Sequence, residues 1–350
     1  MAKLPVVEPY NPDWVKTFEL IKNQVWPTLQ DIAVGIEHIG STSIPGLSAK
    51  PTIDIDVIVD GKEASLQTIK ILEKLGYKHR GDLGIKGREA FKRPENSPKH
   101  HLYVCLKDSL SLRNHLLLKE ALLRSPDLVQ TYSGLKVKLA HLYHDDIDQY
   151  CQAKTNFLTK ILQKSGLSES DIAETKKSNI SSENIYFSNL DKSSLTLLRY
   201  WLQKDHIKSF WQESDNEKLF EEKFLHTLPQ RSVHAYIFKL EHESIGYIQY
   251  YDATKVGGGW WESETKGTYG IDLLIGEEKY LGQGIGVRAV KEFIAFIIEK
   301  EPEVTNIIID PDPNNKAAIK SFEKVGFQKE RELVTPNGTS LLMRLHLTDM

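Results

Sequence analysis

Three alternating glycines, Gly282, Gly284 and Gly286, lie between "TYGIDLLIG", which reads as a strand, and "GVRAVKEFIAFIIEK", which reads as a helix. Side chains at these positions would keep a ligand away from the backbone. The free N–H groups at the start of the helix would attract a phosphate. Glycines before a helix also make simple turns, so the loop alone decides little. The succession after the helix is more restrictive: the strand "VTNIIID", a "DPDPN" turn and the helical "NKAAIKSFEKVG". Strand, glycine loop, helix, strand, turn and helix in that order describe a mixed α+β unit.

At 350 residues, 40% hydrophobic and 27% charged, the chain is long enough for two ordinary domains. The stretch "QKSGLSESDIAETKKSNISSEN", residues 163–184, is rich in Ser, Lys and Glu and lacks aromatics. It reads as the end of a helix and then a linker, giving domains at 1–165 and 185–350 with 166–184 between them. No internal repeat relates the halves, so two different folds are expected. A net charge of -3 gives no general attraction to nucleic acid or to a membrane surface. Residues 183–350 nevertheless hold about six more acids than bases, and the first half is slightly basic. An acidic half suits a cationic small molecule, and equally an ordinary solvated surface.

No apolar run approaches the roughly 20 residues of a transmembrane helix, and "MAKLPVVEPYNPDW" has no signal core. The two cysteines, Cys105 and Cys151, suit a reducing cytosol, and a cytoplasmic location is expected.

The second half also contains "VHAYIFKLEHESIGYIQYYDA", a hairpin turning at "HES", and "GGGWWESET", in which Trp260 and Trp261 precede Glu262 and Glu264. Over about residues 185–348 the chain resembles the GCN5-related N-acetyltransferases. Within that group it is similar to the aminoglycoside 6'-N-acetyltransferases, through "YWLQKDHIKSFW", "IGYIQYYDA", "GWWESET", "GIDLLIG", "LGQGIG", "DPDPNNKAAIKSFEKVGF" and "VTPNG". The resemblance implies the acetyltransferase fold, a mixed and mostly antiparallel sheet flanked by helices, with acetyl-CoA as cofactor. It implies that Leu281, Gly282, Gln283, Gly284, Ile285, Gly286 and Val287 hold the cofactor pyrophosphate. Asn315 would reach the cofactor arm. Leu273 and Leu274 would cradle pantetheine where their strand splays from its neighbour.

It also implies a polycationic amine as substrate, and it explains the tryptophans beside the acids. Carboxylates neutralise ammonium groups, and tryptophan faces stack on sugar rings and attract cations, each contact contributing roughly 0.5–2 kcal/mol. Trp211, Trp260, Trp261, Glu262, Glu264 and Asp310 fall where the family lines its sugar pocket. Asp272 is expected to take the proton that the attacking amine must lose. A plain core would also use Trp260 and Trp261, and a turn before Pro311 would also use Asp310. Two positions depart from the family: Gly258 replaces an acid before the tryptophans, and Phe322 replaces a tyrosine general acid near the cofactor sulfur. Enzymes that acetylate siderophore precursors or a protein N-terminus are the alternative substrate reading.

In the first half, "HIGSTSIPGLSAKPTIDIDVIVD" sets Gly40-Ser41 on a turn and Asp54 and Asp56 on one strand. Residues two apart on a strand share a face. Two carboxylates there repel unless a cation lies between them, and Mg²⁺ is the natural candidate. The backbone N–H groups of the Gly40-Ser41 turn could hold a nucleotide phosphate. This order matches the nucleotidyltransferase superfamily, a mixed sheet with helices. Residues 4–160 resemble the GrpB (UPF0157) family through "VVEPYNPDW", "HIGSTSIPGLSAKPTIDIDV", "GYKHRG", "HHLYV" and "YCQAKTNFL". The strand "KHHLYVCLKD" offers His101 and Tyr103 where a transferase would place a third carboxylate, with His101 as a substitute metal ligand. Lys50, Arg88, Arg93 and Lys136 are candidate phosphate binders or ordinary surface charge. A module without catalysis is the alternative for this half, since a fold does not fix a function.

Overall fold

The computed structural model describes residues 7–179, 184–211, 213, 215–230, 232–256, 264–335 and 338–347. The chain divides into two compact units, 1–180 and 181–350.

The first unit begins with α1 (Asp13–Val25), followed by β1 (Ala33–Ile39), β2 (Ile53–Val59), α2 (Lys62–Lys74), β3 (Lys78–His79), β4 (Arg88–Lys92) and β5 (His100–Leu106). The sheet order is β1-β2-β5-β4-β3. Only β2 and β5 run parallel; the other pairs are antiparallel. The sheet is mixed because α2 lies between β2 and the returning strands, and a parallel pair needs such a crossover. Trp14, Phe18, Ile21 and Val25, the helical-spacing residues of α1, are all buried. They pack with Ile53, Ile55, Val57 and Val59, one face of β2. Asp54 and Asp56 therefore project from the opposite face.

Five helices complete the unit: α3 (Leu110–Leu123), α4 (Pro126–Leu142), α5 (Ile147–Ala153), α6 (Thr155–Lys164) and α7 (Glu169–Asn179). The break expected near Ser125–Pro126 is the α3–α4 junction. There the Ser125 hydroxyl accepts from Leu128 N–H at 3.3 Å and Pro126 takes the first helical turn. The expected linker is corrected over 169–179, which form α7. Leu167 and Ile172 bury against Leu162, with Leu110, Leu117 and Leu118 alongside. Two apolar side chains suffice to dock a helix whose sequence is otherwise polar.

The second unit runs β6 (Ile185–Asn189), α8 (Lys192–Leu202), α9 (Asp205–Lys208), α10 (Glu217–Glu222), a π-helical turn (Lys223–Thr227) and α11 (Leu228–Gln230). It continues through β7 (Val233–Leu240), β8 (Glu243–Asp252), β9 (Thr268–Ile275), α12 (Ile285–Lys300), β10 (Asn306–Ile309), α13 (Lys316–Val325), β11 (Gln328–Thr335) and β12 (Gly338–His346). The seven strands are ordered β11-β12-β10-β9-β8-β7-β6. All pairs are antiparallel except β9 and β10. Ala289, Val290, Phe293, Ile294, Ile297 and Ile298 form the buried stripe of α12. This is the mixed, mostly antiparallel sheet with flanking helices expected of an acetyltransferase unit, here joined to a second α+β unit.

Candidate active site

The parallel ladder between β9 and β10 is short. It pairs Thr268, Tyr269 and Gly270 with Asn306, Ile307 and Ile308 and ends there. β9 continues to Ile275, paired only on its other side with β8. The backbone of 271–275 thus keeps an unpaired edge toward the strand that has turned away. Such an edge must find polar partners, and an extended amide-bearing ligand supplies them. Leu273 is half-buried on this edge, whereas the Leu274 side chain belongs to the core with Trp201 and Tyr247. Leu274 is left with its backbone for any cofactor role.

The end of β9 is held firmly. Gly276 lies so close to the Trp201 ring that a Cβ would meet it at 2.1 Å. Trp201 Nε1 donates to Glu277 Oε1 at 2.7 Å, and Lys204 Nζ donates to the Gly276 carbonyl at 2.8 Å. The loop beyond it is open. Gly282 and Gly284 have φ of +73° and +80°, with nothing within 4 Å of where a Cβ would stand. Gly284 is the N-cap of α12 and offers no side-chain cap, so the first N–H groups of that helix are left for an outside acceptor. The residues of this loop fit a pyrophosphate. Asn315 Oδ1 caps α13 by accepting from Ala318 N–H at 3.1 Å. Its amide nitrogen remains available for the cofactor arm.

Asp272 sits at the start of the splayed edge, opposite Gln249 on β8. Gln249 Nε2 donates to Asp272 Oδ2 at 2.7 Å, and the Tyr247 hydroxyl donates to Gln249 Oε1. Burial raises the Asp272 carboxyl above the ordinary range, opposed by the Gln249 hydrogen bond and the Lys223 charge. Asp310 follows β10 and is pushed up to about 7, by burial first and by the Asp272 charge second, while a Ser340 hydrogen bond opposes the shift. The splay thus brings two carboxylates of adjacent strands into one electrostatic unit. Tyr251 is buried beside both charges, and Gly270 lets its ring cross β9, where a Cβ would meet it at 2.3 Å.

Trp211 is half-buried, edge-on to Tyr247 at 5.8 Å, and its Nε1 donates to Glu213 Oε1 at 3.0 Å. Glu213 is gripped by Lys223 at 2.6 Å from the π-helical turn. Glu213, Lys223, Tyr247 and Gln249 were not expected from the sequence. The alternation of Tyr247 and Gln249 on one strand face was the available signal.

Glu264 is corrected. Its side chain is 4% exposed, and both its oxygens accept from Arg344 at 2.9 Å. Arg344 Nε also donates to Glu330 at 2.8 Å. A buried, bidentate pair leaves Glu264 no lone face for an ammonium group. Trp260, Trp261 and Glu262, as well as Gly258, lie outside the described residues. Phe322 is buried against Phe327 and brings no proton donor.

In the first unit the expected metal set of Asp54, Asp56 and His101 gains no support. Asp54 accepts from His101 Nδ1 at 2.8 Å, and Asp56 accepts from His115 Nδ1 at 2.7 Å. Each carboxylate has its own imidazole. Among the described residues no group of three or more His, Cys, Asp or Glu is placed to hold a metal ion. His115, on α3, was not anticipated. Gly40, at φ +70°, presses against Asp54, where a Cβ would meet Oδ2 at 2.4 Å. A carboxylate this close opposes a phosphate on the amides of Gly40 and Ser41.

Known proteins agree with this division. The family described as "GrpB protein" matches residues 5–164, and that described as "Acetyltransferase (GNAT) domain" matches residues 191–335. The aminoglycoside N(6')-acetyltransferase type 1 of Klebsiella pneumoniae is 36% identical over 168 residues, 47% of this chain and 83% of that protein. The glutamate-rich protein GrpB of Alkalihalophilus pseudofirmus is 30% identical over 158 residues, 44% of this chain and 91% of that protein. Among solved structures, the aminoglycoside acetyltransferase AAC(6')-Ib with coenzyme A and kanamycin is 35% identical. It covers 47% of this chain and 95% of its own, with a TM-score of 0.44. No helix among the described residues is long and apolar enough to cross a membrane.

Proposed function

We propose, given that this chain belongs to the GrpB family through its N-terminal half and to the GNAT acetyltransferases through its C-terminal half, that residues 185–350 acetylate the 6'-amine of an aminoglycoside. The observation that carries the reading is Asp272, raised by burial and held by Gln249 at the mouth of the β9–β10 splay. Acetyl-CoA would supply the activated acetyl group. The amides of Leu281, Gly282, Gln283, Gly284, Ile285, Gly286 and Val287 would take its pyrophosphate, and the backbone of Leu273 and Leu274 its pantetheine.

An amine is protonated at neutral pH and must lose a proton before it attacks. A carboxylate of ordinary acidity is a weak base for this, and one raised by burial is a stronger base. Asp272 must itself be ionised to act, so its raised pKa sets the acid limit of activity. Asp310, near 7, is about half protonated at neutral pH and supplies part of the negative charge that receives a cationic sugar. Trp211 gives the flat wall, fixed by Glu213 and Lys223. Phe322 cannot donate a proton to the departing thiolate, so that proton would come from water.

Because Glu264 is taken by Arg344, the site has one acid fewer than the sequence suggests. That favours, as a second reading, an amine of lower charge such as a siderophore precursor. Acetyl-CoA turnover on a panel of aminoglycosides, polyamines and hydroxylysine-type amines separates the two by the preferred substrate.

A further inference from the structure

The four cations of the first half that could bind phosphate separate in the structure. Arg88 lies over the Tyr103 ring at 4.6 Å, and Arg93 donates to the carbonyls of Pro94, Glu95 and Ser97. Lys50 and Lys136 instead come together with a lysine not expected from the sequence, Lys154, at the junction of α5 and α6. Lys50 Nζ and Lys154 Nζ lie 4.4 Å and 4.1 Å from the centre of one ring, that of Tyr150. Lys136, on α4, is 3% exposed and donates to the Ser48 carbonyl at 2.6 Å.

Two ammonium groups against one ring repel each other, and a third buried amine adds to the repulsion. None of the three pairs with a carboxylate among the described residues. Asp54 is the acid whose charge reaches Lys136 and Lys154, and it is already bound to His101. Tyr150 is 2% exposed, yet its hydroxyl has no hydrogen-bond partner among the described residues. Buried cations are normally paired, and a buried hydroxyl is normally bonded. Burial, and repulsion between the lysines, push Lys136 well below the ordinary lysine range, and burial pushes Lys154 below it.

We propose that Lys50, Lys136 and Lys154, with the Tyr150 hydroxyl, form a binding site for a phosphoryl group. A carboxylate brings one charge and two oxygens in a plane. A phosphoryl dianion brings two charges and three oxygens spread over a tetrahedron, which matches donors arriving from a loop, from α4 and from the α5–α6 junction. Free phosphate and the phosphates of a nucleotide share this chemistry.

The test is calorimetric titration of the full chain with inorganic phosphate, pyrophosphate and ATP, at an ionic strength fixed with NaCl. Lys136→Met and Lys154→Met are compared with Lys74→Met, an exposed residue of α2. The second unit has its own anion loop, so acetic anhydride labelling read by mass spectrometry locates the protection. Expected are saturable binding by the parent, a loss of about tenfold or more in K136M and K154M but not in K74M, and protection of the partly exposed Lys50 and Lys154. Equal affinity for phosphate and ATP places the interaction in the phosphoryl group alone. ATP binding without phosphate binding, still lost in K136M, extends it to a nucleotide. If K136M is misfolded by circular dichroism, the half-exposed Lys50→Met carries the comparison. Unchanged affinity in the lysine variants, no saturable heat with any anion, or protection confined to the second unit overturns the proposal.

Discussion

Gln249 and Asp272 face each other across β8 and β9, and the Gln249 amide donates to Asp272 Oδ2 at 2.7 Å. A carboxamide holds a carboxylate in place without neutralising it, as an arginine would. Gln249→Glu keeps the size of the side chain and replaces the donor with a like charge. The variant should raise the Asp272 carboxyl further and move the acid limb of the kcat profile to higher pH. An unmoved limb with normal kcat would mean that Asp272 takes no part in proton transfer.

Asp310 gives a stability prediction with a defined sign. Its folded pKa, about 7, is above the ordinary value of 3.8. A carboxyl raised in the folded state stabilises the fold fully below its unfolded pKa, and that contribution is lost as pH rises through the folded value. Asp310→Asn stays neutral at every pH. The variant should melt above the parent at pH 8 and by a smaller margin at pH 5, with about 2–4 °C for each kcal/mol recovered. Equal melting at both pH values would show that Asp310 is not desolvated.

The Glu264–Arg344 pair is expected to serve stability, not substrate binding. Arg344→Met leaves the Glu264 carboxylate buried without a partner, which should cost about 3–5 kcal/mol. Glu264→Gln retains an acceptor and should cost less. At temperatures where E264Q remains folded, KM for the amine should equal that of the parent. A large rise in KM with unchanged stability would return Glu264 to the substrate pocket.

The glycine loop is tested by Gly284→Val. At φ +80° a β-branched residue is strained by roughly 1–2 kcal/mol, and its side chain would enter the space kept open before α12. Calorimetry should show acetyl-CoA binding lost, while circular dichroism reports a folded chain. Binding as tight as that of the parent would remove the pyrophosphate from this loop.

Local pattern carried much of the fold. The apolar spacing of Trp14, Phe18, Ile21 and Val25, the Ser125-Pro126 break and the strand–glycine–helix order around Gly284 are relations within a few residues, and each is legible as such. α7 was obscured because its docking rests on Leu167 and Ile172 within a polar stretch that reads as linker. Pairings over long separations left no trace. Glu264 and Arg344 are 80 residues apart, and Asp56 and His115 are 59 apart. Acids in a row therefore looked available when their partners lay on other elements. The same distance concealed Lys154 beside Lys50, which share the Tyr150 ring.

Above all, Asp272 is assigned to the amine of an aminoglycoside in a cofactor-dependent acetyl transfer. The most direct measurement is steady-state turnover of acetyl-CoA with kanamycin-type aminoglycosides by the full chain, compared between the parent and Asp272→Asn. The predicted result is acetylation at the 6'-amine by the parent, and a kcat about 10²–10⁴-fold lower in the variant with acetyl-CoA affinity unchanged by calorimetry. Turnover by D272N equal to that of the parent from pH 6 to 9, or a parent that acetylates no aminoglycoside while turning over another amine, would contradict it.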